Sequence, residues 1–167
     1  NKLWKSRYSK LKHSKNIGIS WRGGLNEKAK AERSQSLSAL LPILTKANQN
    51  ANIINLQYGN HNDEIERFCR GSGITIYDWK ECDPLKDLDN FSAQIKALDL
   101  VICIDNSTAH FAGALGVKTY LMLPFDQDWR WGETRENSYW YPNIMTLFRQ
   151  PRSGAWDEVV KNVANTI

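Results

Sequence analysis

Six short apolar runs punctuate this chain, and their spacing restricts its fold more than any other feature. NIGISW (16–21), NIINLQ (52–57), ITIYD (74–78), LVICID (100–105), KTYLML (118–123) and IMTLF (144–148) are rich in β-branched residues and read as strands. Most are apolar throughout instead of alternating, as parallel strands covered on both faces require. Between them the apolar period lengthens to that of a helix. Leu37, Leu40, Leu41 and Leu44 form one stripe, Ile65, Phe68 and Cys69 a shorter one, and Phe91, Ile95 and Leu98 a third. Trp156, Val159, Val160, Val163 and Ile167 form the clearest. Gly71, Gly73 and Gly116 stand where helices should stop. Strand and helix alternating at this distance mean right-handed βαβ units, so the expected fold is α/β, a Rossmann-like doubly wound parallel sheet of about six strands over residues 16–167.

Charge separates the first fifteen residues from this domain. The chain of 167 residues carries a formal net charge of +4. Lys2, Lys5, Arg7, Lys10, Lys12 and Lys15 lie in a segment without an acid, leaving 16 basic against 18 acidic side chains elsewhere. The basicity therefore belongs to residues 1–15, expected as a basic linker or peripheral helix, with a phosphate-binding or membrane-surface arm as its alternative. No nucleic-acid partner is expected for the domain. Cys69, Cys82 and Cys103 show no CxxC spacing, which suits a reducing cytoplasm, and no apolar stretch approaches the roughly 18 residues of a membrane span.

In open α/β sheets ligands sit beyond the carboxyl ends of the strands, where the strand order reverses. Here that point is expected between the first and fourth strands. The fourth ends in DNSTAHFAGALG (105–116): Asp105 closes the strand, and Asn106, Ser107 and Thr108 open a helix whose free amides and positive dipole end suit a phosphate. The same residue types are ordinary helix caps, and a plain capped helix is the alternative. His110, one turn on, is equally a structural residue or a phosphate donor. The first strand ends in SWRGG, where Gly23 and Gly24 allow close backbone approach and Arg22 can meet an anion.

Other chemistries fit less well. Ser107 has no GxSxG elbow, and His110 three residues along the same helix is not presented to it as a hydrolase requires. The scattered His and Cys give no metal-ligand spacing, although Asp126 and Asp128 form a DxD pair of the kind that can hold a divalent ion. The stretch PFDQDWRWGETRENSYWYPN (124–143) is too long for an ordinary loop and is expected to be functional or a lid.

Taken together, GISWRGG…RS, LQYG, DLVICIDNSTAHFAGALGVKTYLMLP, DWRW, YWYPN and LFRQ resemble the C-terminal half of heptosyltransferase-like, family nine glycosyltransferases, closest to those fused to tetratricopeptide repeats. The resemblance covers residue 16 to the end. It implies one half of a GT-B fold, whose C-terminal Rossmann-like domain binds a nucleotide-diphosphate sugar while a separate N-terminal domain holds the acceptor. Carried onto this sequence, it places the donor diphosphate at Asn106, Ser107 and Thr108, with Asp105 and His110 shaping the site and Arg22 on the phosphates. Gln57 and Tyr58, then Asp78 and Trp79, are weaker candidates for ribose and base contacts, with loop packing as the alternative. Trp129, Trp131, Trp140 and Tyr141 are expected to line a sugar pocket or to brace the acceptor domain. The resemblance implies no cofactor and no metal, a donor-binding chain that does not turn over alone because the catalytic base lies on the acceptor domain. The alternatives are a non-catalytic nucleotide-binding or interaction module, and a sugar-nucleotide epimerase.

Overall fold

A computed structural model describes residues 2–24 and 26–167. Six strands, β1 (Lys15–Ser20), β2 (Ala51–Asn55), β3 (Ile76–Tyr77), β4 (Leu100–Ile104), β5 (Thr119–Leu123) and β6 (Met145–Arg149), form one sheet in the order β3-β2-β1-β4-β5-β6. Every neighbouring pair is parallel. Among the described residues the helices are α1 (Lys2–Tyr8) before the first strand, α2 (Glu27–Arg33), α3 (Leu41–Ala47), α4 (Asn62–Ser72), α5 (Leu88–Ile95) and α6 (Ser107–Ala114) between strands, and α7 (Trp156–Thr166) after the last.

The continuous apolar runs are explained by two separate core layers. Ile53 and Ile102 pack with Leu44 of α3, Phe68 of α4 and Val159 of α7 on one face. Their strand neighbours Ile54 and Val101 pack with Trp4 of α1, Ile95 of α5 and Ala112 of α6 on the other. Successive side chains point to opposite faces, so a strand covered twice must be apolar at every position. Each such side chain contributes about 1.5–3 kcal/mol by leaving water.

Of the segment expected as a basic linker or peripheral helix, residues 2–8 form helix α1, which is anchored in the core. Trp4 is 0% exposed and its indole N–H donates to Asn90 Oδ1 at 2.8 Å, while Tyr8 is buried one helical turn later. Trp79 meets Trp4 edge-on with ring centroids 5.3 Å apart, and Arg7 pairs with Glu81 at 2.9 Å. An i, i+4 aromatic pair thus inserts into the second core layer and the lysines face water. The third strand shrinks from the expected 74–78 to Ile76–Tyr77. Helix α2 has no counterpart among the expected helices because none of its residues is buried, so it carries no apolar stripe.

The long stretch 124–143 is a fixed strap. Trp131 closes a single 3-10 turn and is 0% exposed in the second core layer. Arg149 on β6 donates to the carbonyls of Arg135, Trp131 and Gly132. Glu136 to Ser138 then run antiparallel along β6, with a bridge between Asn137 and Thr146 and Leu147 N–H donating to Glu136 O at 2.7 Å. Tyr141 lies over α6 so closely that a Cβ on Gly113 would be 2.5 Å from its ring.

Candidate functional site

Strand order reverses between β1 and β4, so their carboxyl ends diverge into a crevice there. Asn106 is the N-cap of α6, in extended conformation, and its Oδ1 accepts from Thr108 N–H at 3.0 Å. Its Nδ2 donates across the crevice to Ser20 Oγ at 2.8 Å and to Arg22 O at 3.1 Å. Gly23 permits this approach: a Cβ there would lie 3.1 Å from that of Asn106 and 3.3 Å from Asp105 O. Among the described residues, the amide of exposed Ser107 in the first turn of α6 has no protein acceptor. The buried Thr108 Oγ1 also lacks a hydrogen-bond partner.

The structure therefore gathers Arg22, Gly23, Gly24, Asp105, Asn106, Ser107 and Thr108 at one place, with different duties from those expected for some of them. The Asn106 side chain caps its own helix, so the Thr108 amide is already satisfied. Arg22 is engaged by Glu64, with Nη2 at 2.8 Å and Nε at 3.1 Å from Glu64 Oε2. Burial opposes the charge of Glu64, but bonds from Arg22, the Leu37 amide and the Trp21 indole outweigh it and hold its carboxyl below the usual range. Arg33, at the end of α2, reaches the same crevice: its Nη1 lies 2.9 Å from Asp105 Oδ2. That contact is an ion pair without the alignment of a hydrogen bond, so Oδ2 has a charge partner but no directed donor. Asp105 is 3% exposed, and its Oδ1 accepts from the Trp131 indole at 2.9 Å.

Gln57, expected as a ribose or base contact, is instead consumed by the protein. It is 5% exposed, and its Oε1 accepts from Ser20 Oγ at 3.1 Å, Trp21 N–H at 2.9 Å and Arg22 N–H at 2.8 Å. Its Nε2 donates to the carbonyls of Arg22 and Tyr58. Gln57 is the clamp that fixes the end of β1. Two cavities adjoin at Gln57 and His61. One, of about 640 Å³, is lined by Arg22, Gly23, Lys30, Ser34 and Tyr58. The other, of about 350 Å³, lies one strand further, between Asn55, Asp78, Trp79 and Phe91. Asp78 accepts from Asn55 Nδ2 at 2.9 Å, and Trp79 stacks on Tyr77.

The aromatic loop residues divide. Trp131 is core and Tyr141 holds α6, whereas Trp129 is 79% exposed and Trp140 lies beside it with centroids 6.5 Å apart. His110 stacks on Trp131 at 5.1 Å and its Nδ1 is 3.0 Å from Tyr141 Oη. Asp128 caps the 3-10 turn and pairs with Arg130, and Asp126 is exposed. Among the described residues no group of three or more His, Cys, Asp or Glu gathers in the manner of metal ligands. Burial pushes the Cys82 thiol up to about 12 and Cys103 higher still, so neither supplies a thiolate near neutrality. Glu64 and His61 are the site residues that no spacing in the sequence announced, and Arg33 was marked only as part of the GISWRGG…RS resemblance.

Burial, reinforced by Arg22 at His61 and by Arg130 at His110, lowers the pKa of both imidazoles, against the weaker pull of Glu64 on the first and of Asp105 and Asp128 on the second. The unfolded chain, with His near about 6.5, then binds protons before the folded one does. Both groups favour the folded state fully above about pH 6.5 and lose that contribution as the pH falls through their folded pKa. The melting midpoint is expected to drop between pH 7 and 5, and His110→Gln to make the drop shallower. A midpoint unchanged by this substitution at every pH would contradict the assignment.

No family model matches the chain. It is 29% identical over 167 residues to Protein FlbA of Caulobacter vibrioides, covering 98% of this chain and 27% of that protein. Among solved structures it superposes on a glycosyl transferase family 9 protein from Veillonella parvula with a TM-score of 0.60 and 8% identity, over 96% of this chain and 45% of that one. It also superposes on the heptosyltransferase WaaC of E. coli with ADP-2-deoxy-2-fluoro heptose, TM-score 0.58 and 11% identity, over 99% of this chain and 48% of that one. The chain thus has the fold of one half of these enzymes, and spans about a quarter of the curated relative.

Proposed function

We propose that the crevice between β1 and β4 binds the diphosphate of a nucleotide sugar, and that this chain is the donor-binding part of a GT-B glycosyltransferase. The observation that carries this reading is the α6 N-terminus, open at the amide of Ser107, at the switch point of a sheet shared with solved glycosyltransferases. Unpaired helix amides and the dipole favour an anion there. Gly23 and Gly24 flank it without side chains, and the cavity that begins at these glycines leads to Tyr58 and adjoins the one at Asp78 and Trp79, where ribose and base would lie.

In the transfer step the bond between the anomeric carbon and the leaving phosphate oxygen breaks, and its electron pair goes to that oxygen. The acceptor hydroxyl oxygen forms the new bond and its proton passes to a base on the acceptor domain. Negative charge grows on the diphosphate, where the Ser107 amide, the α6 dipole and a guanidinium stabilise it without a metal ion. The acceptor domain, and tetratricopeptide repeats beside it, lie outside this chain, which alone binds donor without turning over. The free cysteines Cys69, Cys82 and Cys103 suit a cytoplasmic setting. Among the described residues no helix is long and apolar enough to cross a membrane.

A second reading, a non-catalytic interaction module, draws on the self-satisfied state of the crevice, in which Asn106 caps its own helix and Arg22 is paired. A thermal-shift panel of ADP, UDP, GDP and CDP, with EDTA and with magnesium, separates the two. A bound nucleotide at 100 times its Kd adds about 2.7 kcal/mol and should raise the midpoint by roughly 5–10 °C, equally in EDTA. Ser107→Pro, tolerated at the first helical position, removes the open amide and should weaken binding by about tenfold or more. Absence of any shift would favour the module, and a shift confined to magnesium would bring Asp126 and Asp128 into the site.

A further inference from the structure

Helix α2 is held over the crevice by polar contacts that belong to the same groups an anion would use. Ser34, which follows the helix, accepts from Gly23 N–H at 3.1 Å and donates to Gly23 O at 3.0 Å. Gln35 N–H donates to Trp21 O at 2.8 Å. Arg33 rests on Asp105 at 2.9 Å. The backbone of α2 sits directly on Gly24, whose φ is +114° and where a Cβ would be 2.5 Å from Lys30 N. None of the residues of α2 is buried, so among the described residues the helix itself holds no apolar anchor against displacement.

We propose that α2 is a strap that keeps the Gly23 side of the anion site closed, leaving the Ser107 amide open, and that Arg33 is the cation it transfers from Asp105 to the diphosphate when a nucleotide enters. The inference rests on the donor-site reading. In the closed arrangement the Gly23 amide is spent on Ser34 and the Arg33 charge on Asp105. A diphosphate offers better acceptors to both, so closing contacts and ligand contacts exclude one another. Arg22 has no such freedom, because Glu64 holds it with two hydrogen bonds. Arg33 spends a single ion-pair contact on Asp105 and retains its other donors. Asp105 keeps the Trp131 indole in either arrangement and so retains one partner when Arg33 leaves.

The test uses the full chain, the tightest binder among ADP, UDP, GDP and CDP, and the corresponding nucleoside, followed by stopped-flow tryptophan fluorescence and calorimetry. The observed association rate of the unmodified chain should level off with nucleotide concentration at the opening rate of the strap. Ser34→Ala should raise that plateau at least fivefold and tighten the diphosphate Kd a few-fold, because a closed state that is populated taxes affinity. Arg33→Met should weaken the diphosphate about 10- to 100-fold while leaving the nucleoside within twofold. Rates that rise linearly and are the same in Ser34→Ala overturn the strap, and a diphosphate Kd unaffected by Arg33→Met overturns the role of Arg33. No nucleotide bound by either the unmodified chain or Ser34→Ala overturns the donor-site reading and this inference with it.

Discussion

Replacing Gln57 with leucine is expected to lower the melting midpoint by roughly 8–16 °C, although the two side chains are similar in size. Gln57 Oε1 accepts from Ser20 Oγ, Trp21 N–H and Arg22 N–H at 2.8 to 3.1 Å, and the residue is largely buried. A buried donor left without its acceptor costs about 1–3 kcal/mol, and partial relaxation brings three of them to about 4 kcal/mol. At roughly 2–4 °C per kcal/mol for a chain of this length, the range above follows. Gln57→Glu separates the two ends of the amide. It keeps an acceptor for the three donors but turns oxygen against the carbonyls of Arg22 and Tyr58, which now receive Nε2 at 3.3 and 3.2 Å. Its midpoint should fall between those of the parent and Gln57→Leu. A loss below about 3 °C for Gln57→Leu, by thermal or urea unfolding, would mean that the end of β1 is held by something else.

Trp131→Ala should cost about 3–5 kcal/mol, the range for removing a large aromatic side chain from a core, and should also loosen the strap from 124 to 143. The indole is fully buried, stacks under His110 and donates to Asp105. Its loss removes the centre of the loop and one partner of a buried carboxylate at once. Limited proteolysis should then cut within 124–143 at protease levels that leave the parent intact. Trp131→Phe keeps most of the packing and lacks the N–H, so it should retain the protease resistance and lose about 1.5–3 kcal/mol, the worth of a hydrogen bond to a charged group. Equal protease sensitivity in both variants would show that the Asp105 bond, and not packing, fixes the loop.

The parts of this molecule that were legible in the sequence are those set by burial. Six apolar runs gave six strands, and their continuity announced two covered faces, because a residue such as Ile54 can be apolar only if something lies above it. From that order the position of the crevice followed. What stayed hidden were pairings between side chains far apart in the chain. Gln57 clamps donors 35 to 37 residues earlier, and Glu64 captures Arg22 from 42 residues away. No local pattern marks such partners, so the structural duties of Gln57 and Arg22 were not legible. Helix α2 escaped for the opposite reason, having no buried face to impose a period. The amphipathic pair Trp4 and Tyr8 was masked by the lysines around it.

The antiparallel run of Glu136 to Ser138 along β6 bears on how the protein behaves in a crowded solution. An outermost strand with bare amides and carbonyls is a template for another chain. Here the strap occupies that row, and the opposite margin offers only the two residues of β3. The sheet thus presents little backbone for recruiting a neighbour, and self-association by strand addition is disfavoured at both margins. The same loop that borders the candidate site thus covers part of the outer row of β6.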